Sequence, residues 1–546
     1  MVRLEKQVQT KRRVNWWFLL ETVLLVGVFW LSHGSPPPDV NEAHYLIKAK
    51  HYWNPEFAPT DFFLSSADAH LVFYWAFGWL TLLMDLEAVA WIGRLFSWTL
   101  LAASLVSIGR RIAQPAMSGL FVGGLFVVLT EYGHMAGEWV IGGFEGKTVA
   151  YGLSFWAIRA SLDRRWGVSW VLGGLASAFH VLAGGWIVLC LLVVRAMGVR
   201  KELKVPCTRE WGCLILGGVL ALGGLVPGLL LSSGNAEVAA EANRLYVHVR
   251  LPHHLVITSF ATYRVVAFFS LVCGLGLAWF LSAKWRQDEH GVVAGLATTS
   301  LMLVVIGILV TLLLGNDSPI QHSLLRFYFY RTSDVLVPLA AAVLACVVVF
   351  NVSEEIGSGT RLRGSILVLL LGVYVGESLH RRYWDPRPRG DVLTLPDSRK
   401  ADPVARRDNT MRIHRHWKLA CQWIRNNTPS DAIALTPLRQ QTFKWYSQRG
   451  EIVTRKDMPQ DAISLLQWHE RRESVYPMVD DRRGLSRVSN DELIQSCHKY
   501  GADYMVLTQF SEESRNRFDG DSRVRKMFPP EGKFSYYAVF RVYGSQ

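Results

Sequence analysis

Two carboxylates, Asp39 and Glu42, follow the first apolar run of the chain. They lie in residues 39–45 (DVNEAHY), and the helical spacing from residue 41 to residue 53 predicts that Glu42 stands on a short surface helix. A carboxylate held beside a hydroxyl group can remove its proton as a general base. The candidate chemistry is deprotonation of an acceptor hydroxyl by Glu42 or Asp39. The alternative is that both are ordinary solvated loop acids.

A second acidic pair lies between the next two apolar runs. Glu138 and Glu145 fall in the segment from Glu131 to Lys147, and Glu145 stands in a glycine-rich turn. This pair predicts a second acidic site, and we expect Glu42 to line one outer cavity with Glu138 or Glu145. The alternative for the turn is a structural one, in which Glu145 and Lys147 only flank the start of a membrane helix.

Basic side chains in the outer loops could neutralise an anionic leaving group. Arginine suits this role because its planar guanidinium binds phosphate with two parallel hydrogen bonds. The candidates for phosphate binding are Lys147, Arg244, Arg250, His253, His254, Arg326 and Arg331. Alternatives stay open for two of these groups. The aromatic run 327–330, which lies between Arg326 and Arg331, is also typical of an interfacial belt. Adjacent histidines are more typical of an interface than of a metal site, and a role for a divalent metal is left open.

The elements that must position these residues are mostly apolar. The chain has 546 residues, of which 50% are hydrophobic and 19% charged, and its mean hydropathy is +0.18, which is high for a soluble protein. Apolar runs that could cross ~30 Å of hydrocarbon predict eleven transmembrane helices near residues 15–32, 89–109, 115–131, 148–163, 167–181, 182–196, 211–232, 260–282, 291–314, 334–351 and 364–380.

The distribution of lysine and arginine predicts the orientation of these helices. Cytoplasmic loops carry an excess of positive charge, and the basic clusters alternate with the helices if the N-terminus is cytoplasmic. This pattern requires that the short apolar stretch 70–84 lies at the interface. It also requires that the two short segments between Arg165 and Arg195 form a hairpin, which the Gly184-Gly185 pair can produce. The net charge of +13 then reflects membrane orientation, and we exclude nucleic acid as a partner. Residues after 380 are predicted to be extracytoplasmic.

Three domains follow from the composition: a transmembrane domain 1–380, a Pro/Arg/Asp-rich linker 381–410 and a C-terminal domain 411–546. In the last, helical patterns alternate with short apolar strands, which predicts a small α/β layer fold. The predicted helices cover 411–427, 461–474 and 490–500, and the predicted strands cover 432–435, 451–454, 502–508 and 535–542. The fold class is thus mainly α, with about eleven transmembrane helices and a small C-terminal α/β extracytoplasmic domain.

The acidic segment resembles that of the GT-C superfamily, the multi-pass membrane glycosyltransferases that include protein O-mannosyltransferases and aminoarabinose transferases. Their first outer loop often carries Asp-Glu-x-x-Tyr, and residues 41–45 (NEAHY) match its Glu and Tyr, with Asn41 in place of the first acid. The tail, with Trp417, Trp423 and residues 443–446 (FKWY), looks like that of an uncharacterised bacterial family of GT-C-like membrane proteins. The resemblance implies that Glu42 or Asp39 serves as the base, with Glu138 or Glu145 as the second acidic site.

The function that this resemblance implies is transfer of a sugar from a polyprenyl-phosphate-linked donor to an acceptor on the extracytoplasmic side of the membrane. The expected partners are the lipid bilayer, the lipid-linked sugar and that acceptor. Two other readings stay open: a GT-C-like envelope scaffold without catalysis, and a transporter or flippase. A transporter would favour paired charges at the bilayer midplane and inverted repeats, whereas here the charges concentrate at the outer rim.

Overall fold

The computed structural model shows a mainly helical chain with one small sheet near its C-terminal end. The described residues are 16–112, 117–202, 207–231, 235–281, 288–351, 359–392, 402–476 and 484–544. The predicted basic clusters before residue 16 and at 284–286, and part of the predicted linker, lie outside these residues.

Helices follow one another through the first part of the chain. They are α1 (Trp16–His33), α2 (Glu42–Trp53), α3 (Leu71–Phe77), α4 (Leu80–Leu83), α5 (Leu86–Ile112), α6 (Ser118–Tyr132), α7 (Gly146–Leu162), α8 (Trp166–Phe179), α9 (Val181–Glu202), α10 (Thr208–Leu230), α11 (Ala236–Arg244), α12 (Pro252–Leu255), α13 (Thr262–Leu281), α14 (Asp288–Leu313), α15 (Pro319–Leu325), α16 (Ser333–Asn351) and α17 (Gly359–Trp384). A π-helical turn, Leu245–Arg250, directly follows α11.

Six of the described helices are long and apolar enough to cross a membrane: Trp16–His33, Leu86–Ile112, Val181–Gly198, Thr208–Leu230, Thr262–Phe280 and Gly291–Leu313. Shorter apolar helices are Leu71–Leu83, Ser118–Tyr132, Trp166–Phe179 and Ser333–Val349. The protein is therefore an integral membrane protein. Each of the eleven predicted spans coincides with a helix, with α7 and α17 as the remaining two, while the number that cross the bilayer stays a prediction.

The chain reverses direction at His180, between α8 and α9. His180 has an extended backbone, with φ −154° and ψ 103°. The two helices then pack so closely that a Cβ on Gly184 would lie 2.3 Å from the backbone nitrogen of Ser177. The turn of the predicted hairpin thus lies at His180, whereas Gly184 and Gly185 lie inside α9, where Gly184 allows the close packing.

The C-terminal domain is built on a five-stranded mixed sheet. Its strands are β1 (Ile433–Leu435), β2 (Gly450–Glu451), β3 (Tyr504–Thr508), β4 (Val524–Phe528) and β5 (Tyr537–Val542), in the order β2-β1-β3-β5-β4. β1 is parallel to β2 and β3, whereas β5 is antiparallel to β3 and β4. Its helices are α18 (Pro403–Asn427), α19 (Phe443–Ser447), α20 (Ala462–Val475), α21 (Asn490–Tyr500) and α22 (Glu512–Arg515).

Helices cover both faces of this sheet, because successive side chains of a strand point to opposite sides. Val506 of β3 packs in one apolar cluster with Trp417 of α18. Met505 packs in another cluster with Trp468 of α20 and Leu493 of α21. The predicted α/β layer fold is therefore present. Some details differ: α18 begins at Pro403, inside the segment predicted as a linker, and β4, α19 and α22 have no predicted counterpart.

Candidate active site

A cavity of about 760 Å³ lies at one end of the helix bundle. Its wall combines the C-terminal ends of α1, α6 and α10 with the N-terminal ends of α7 and α9. Three residues of the C-terminal domain, Lys456, Met458 and Gln460, complete the wall. The cavity therefore lies between the membrane helices and the domain that follows them, which is a common position for a binding site.

Glu42, a predicted catalytic base, is fully buried and is not one of the residues that line this cavity. Its Oε1 accepts hydrogen bonds from Nε of Arg94 at 2.8 Å and from the backbone nitrogen of Phe144 at 2.7 Å. Its Oε2 accepts from Nη2 of Arg94 at 2.5 Å and from the backbone nitrogen of Asp39 at 2.9 Å. The expectation that Glu42 lines the cavity is wrong, because both of its oxygens fix the loop after α1 to α5 and to the loop before α7.

Asp39, the other predicted base, does line the cavity. Its Oδ1 accepts a hydrogen bond from the backbone nitrogen of Val40 at 2.7 Å and lies 3.9 Å from Nε of Arg389. Because its own backbone nitrogen is bound by Glu42, the buried ion pair fixes where Asp39 stands. Asp39 is thus a carboxylate of the loop after α1 that borders the cavity, with 3% of its surface exposed.

Glu145 is buried between Asn41 and Lys147 at the start of α7. Its Oε2 accepts a hydrogen bond from Nδ2 of Asn41 at 3.0 Å, and its Oε1 lies 3.7 Å from Nζ of Lys147. Burial raises the pKa of Glu145 to about 7, although Lys147 and the Asn41 amide act in the opposite direction. Asn41 therefore places a neutral donor next to a carboxyl group that ionises with difficulty.

Glu138 lines the cavity and holds two of the predicted phosphate-binding cations. Its Oε1 lies 2.8 Å from Nζ of Lys147, and its Oε2 lies 3.0 Å from Nε of Arg331. The loop around it is shaped by Asp334, whose carboxylate accepts three hydrogen bonds from backbone nitrogens within residues 135–138. Glu138 thus holds Lys147 and Arg331 in position in the cavity wall.

Most of the predicted phosphate-binding residues meet in the cavity wall, namely Lys147, Arg250, His253, His254, Arg326 and Arg331. Arg244 is not among the lining residues, because it is exposed and pairs with Glu241 of the same helix at 2.6 Å. Arg326 is tied down by Asn243 at 2.8 Å and by the backbone oxygen of Gln460 at 3.0 Å. In contrast, Nε of Arg250 is buried without a hydrogen-bond partner.

The two adjacent histidines are neutral near pH 7. Burial, together with the charges of Arg250 and Arg331, lowers the pKa of His253 to about 4. Burial also lowers the pKa of His254, whose Nδ1 lies 2.5 Å from the backbone oxygen of Ala136. A neutral ring that donates from Nδ1 has only an acceptor at Nε2. His254 therefore has no N–H group left to donate to a phosphate oxygen. Among the described residues, no group of three or more His, Cys, Asp or Glu side chains could hold a metal ion.

Sequence reasoning missed the contribution of the C-terminal domain to the cavity. Lys456 lines it, and Asp457 lies with Oδ1 3.1 Å from Nδ1 of His44, another lining residue. Burial, and then the charge of Arg250, lowers the pKa of Lys456 to about 8. No motif marks these positions, since residues 454–460 have the composition of an ordinary polar loop.

A buried ionic cluster attaches this loop to the first outer loop of the membrane region. Nζ of Lys444 lies 2.6 Å from Oε1 of Glu451, 2.7 Å from Oδ2 of Asp457 and 3.5 Å from Oδ2 of Asp61. The same Asp61 oxygen accepts a hydrogen bond from the backbone nitrogen of Glu451 at 3.0 Å. All four side chains are buried, so the cluster holds the C-terminal domain over the cavity.

Comparison with known proteins assigns the fold to a class. The structure of the arabinofuranosyltransferase AftD from Mycobacteria, a GT-C glycosyltransferase, matches with a TM-score of 0.51 and 14% identity. That match covers 98% of this chain and 40% of AftD, so the chain spans about two fifths of the length of that protein. The chain thus shares the overall fold of that glycosyltransferase.

Three further comparisons concern a second solved structure, family models and curated proteins. ArnT from Cupriavidus metallidurans, in a structure bound to undecaprenyl phosphate, matches with a TM-score of 0.47 and 13% identity over 98% of this chain and 100% of ArnT. Residues 415–475 match the family model of a domain of unknown function, DUF6798. None of the curated proteins compared with the chain matches it.

Proposed function

We propose that this protein is a membrane glycosyltransferase that transfers a sugar from a polyprenyl-phosphate donor to a hydroxyl-bearing acceptor outside the cytoplasm. The observation that carries the proposal is one cavity that brings together the carboxylate of Asp39 and the cations Arg250 and Arg331. A base for the acceptor and positive charge for the leaving phosphate are the two groups that this transfer requires. The GT-C fold agrees with this chemistry.

In the proposed reaction, Asp39 removes the proton from the acceptor hydroxyl while the oxygen of that hydroxyl attacks the anomeric carbon of the sugar. The bond between that carbon and the phosphate oxygen breaks with inversion, and the electron pair leaves with the polyprenyl phosphate. Arg250 and Arg331 neutralise the charge that develops on the phosphate. Glu138 acts as a positioning residue, because it holds Arg331 and Lys147 in the cavity wall.

The proposed orientation has the N-terminus in the cytoplasm and the cavity and C-terminal domain on the outer side of the cytoplasmic membrane. The distribution of positive charge in the sequence supports it. The acceptor then reaches Asp39 from the cell envelope, and the lipid donor reaches the arginines from the outer leaflet.

The test is sugar transfer by the purified full-length protein. Labelled polyprenyl-phosphate sugars, with arabinofuranose among them because AftD is an arabinofuranosyltransferase, are incubated with envelope glycans and glycoproteins. We expect the wild-type protein to transfer one of these sugars and Asp39→Asn to lose about 10²–10⁴-fold in turnover. If the wild type transfers none of these sugars, the enzymatic proposal is overturned in favour of an envelope scaffold.

A further inference from the structure

Lys456 belongs to the C-terminal domain, yet it lines the cavity between that domain and the membrane helices. It lies in the loop between β2 and α20. The backbone nitrogen of its neighbour Arg455 donates to the backbone oxygen of Leu438 at 2.8 Å, and that of Asp457 donates to Oγ1 of Thr454 at 3.1 Å. Since both neighbours of Lys456 are fixed to the domain, its ammonium group is presented to the cavity by a rigid loop.

The acids that lie nearest to Lys456 are bound by other residues. Asp457 lies within ion-pair distance of Lys444 and His44, and Glu145 is held by Asn41 and Lys147. Within the described part of the chain, no carboxylate lies within 4.0 Å of the Lys456 ammonium. Lys456 thus enters the cavity without an ion-pair partner of its own, although Glu145 and Asp457 act on it from a greater distance.

Arg250 is the second such cation. Its Nε is buried without a hydrogen-bond partner, and the residue lines the same cavity. The two charges interact electrostatically, because Arg250 contributes to the lowered pKa of Lys456. His253 lies within the field of both, since Arg250 and Lys456 help to lower its pKa. Two neighbouring cations that lack an ion-pair partner in a partly buried cavity favour the binding of an anion between them.

We propose that Lys456 and Arg250 together bind a phosphate group, so that the C-terminal domain completes the donor site of the membrane domain. This inference rests on the proposed function, in which the phosphate is that of the polyprenyl donor and leaving group. Arg250 comes from the membrane region and Lys456 from the outer domain, and the Lys444 cluster keeps the two together. Donor binding therefore requires the outer domain to be docked.

The experiment measures binding to the full-length protein rather than turnover. The probes are a short-chain polyprenyl monophosphate, the matching neutral polyprenol and inorganic phosphate, each titrated in detergent against intrinsic tryptophan fluorescence. Lys456→Met keeps the length of the side chain and removes its charge, and Lys456→Arg keeps the charge. The matched control is Lys533→Met, which removes an exposed lysine of the same domain.

We expect Lys456→Met to bind polyprenyl phosphate at least roughly tenfold more weakly, the effect of losing one charge-assisted hydrogen bond. Lys456→Arg should bind nearly as the wild type does, and the control should be unchanged. Loss of affinity for both phosphate probes would identify the bare phosphate group as the ligand. Loss for the lipid probe alone would identify the lipid headgroup at the membrane surface.

The pH dependence of binding adds a readout that a structural role would not give. Wild-type affinity should fall as the pH rises through about 8, where Lys456 loses its proton, and this fall should be absent in Lys456→Arg, whose guanidinium stays charged. Of the other charged groups near Lys456, namely Arg250, Glu145, Lys147 and Asp457, none is replaced in this comparison.

Two results separate this inference from the proposed function. Wild-type affinity retained in Lys456→Met would overturn the inference and leave the glycosyltransferase proposal intact. Phosphate binding that depends on Lys456, in a protein that transfers no sugar from any donor of the panel, would support the site and overturn the glycosyltransferase.

Discussion

Glu42 of α2 and Arg94 of α5 form a buried ion pair with two hydrogen bonds, from Nε at 2.8 Å and from Nη2 at 2.5 Å. Neither side chain is exposed to solvent. Arg94 also donates from Nη1 to the backbone oxygen of Ser35 at 2.6 Å, so the pair holds both ends of the segment that carries Asp39. Its role is to place the candidate base at the cavity.

We expect Glu42→Gln to destabilise the protein by about 3–5 kcal/mol, because it leaves the charge of Arg94 buried without a partner. The measurement is thermal unfolding of the full-length protein in detergent. The double variant Glu42→Met with Arg94→Met removes both charges and should unfold at a higher temperature than Glu42→Gln. A Glu42→Gln protein of unchanged stability that transfers no sugar would restore Glu42 as a catalytic residue.

Asp39→Asn should reduce turnover by about 10²–10⁴-fold while stability and donor affinity stay near wild type, because the amide oxygen can still accept from Val40 but cannot take a proton. Steady-state kinetics with separate variation of donor and acceptor measures this. The control is Asp317→Asn, which changes an exposed acid of a later outer loop. Equal loss of activity in both variants would argue against a base at Asp39.

Arg331→Lys should lower turnover about tenfold or more with normal expression, because lysine cannot reproduce the planar contacts of arginine with a phosphate. Arg244→Lys is the control, since Arg244 is exposed and pairs with Glu241 outside the cavity. Transfer rates of the two variants are compared at saturating donor. Full activity of Arg331→Lys would remove Arg331 from the phosphate site, and activity lost only in Arg244→Lys would show that the cavity is not the donor site.

Asn41→Asp should destabilise the protein more at pH 8 than at about pH 5.5. Burial already raises the pKa of Glu145 to about 7 from its ordinary value of 4.5, so its favourable contribution to folding is complete below 4.5 and is lost as the pH rises through 7. A second carboxylate in place of the Asn41 amide, which lies 3.0 Å from Glu145, should raise that pKa further.

Thermal unfolding at the two pH values measures this effect. Asn41→Ala is the matched control, since it removes the hydrogen bond without adding a charge and should change stability with a much smaller dependence on pH. A variant Asn41→Asp with the same loss of stability at both pH values would show that the two carboxylates do not interact.

A reporter fused after Gly390 should be active only when it is an enzyme that requires an extracytoplasmic environment, such as alkaline phosphatase. The expectation follows from the alternation of positive charge along the chain. A cytoplasmic reporter fused at the same residue is the reciprocal control. Activity of the cytoplasmic reporter alone would place the cavity and the C-terminal domain inside the cell.

The sequence by itself determined where the apolar helices lie. A run of apolar residues needs no distant partner to become a helix in a bilayer, because its backbone hydrogen bonds are satisfied within the run. The central strands of the C-terminal domain were also predictable from short apolar runs such as that of β3. The edge strand β4 was not, because its residues 524–528 (VRKMF) include two exposed basic side chains and lack the apolar pattern.

Only the tertiary structure decided which of these residues face the cavity. Glu42 and Asp39 look alike in the sequence, but Arg94, 52 residues away from Glu42 within an apolar run, binds the first, whereas the second borders the cavity. Lys456 reached the cavity only because the Lys444 cluster docks the outer domain against the first loop. Charge compensation depends on distances of a few ångströms in space, and such distances are set by the packing of remote segments.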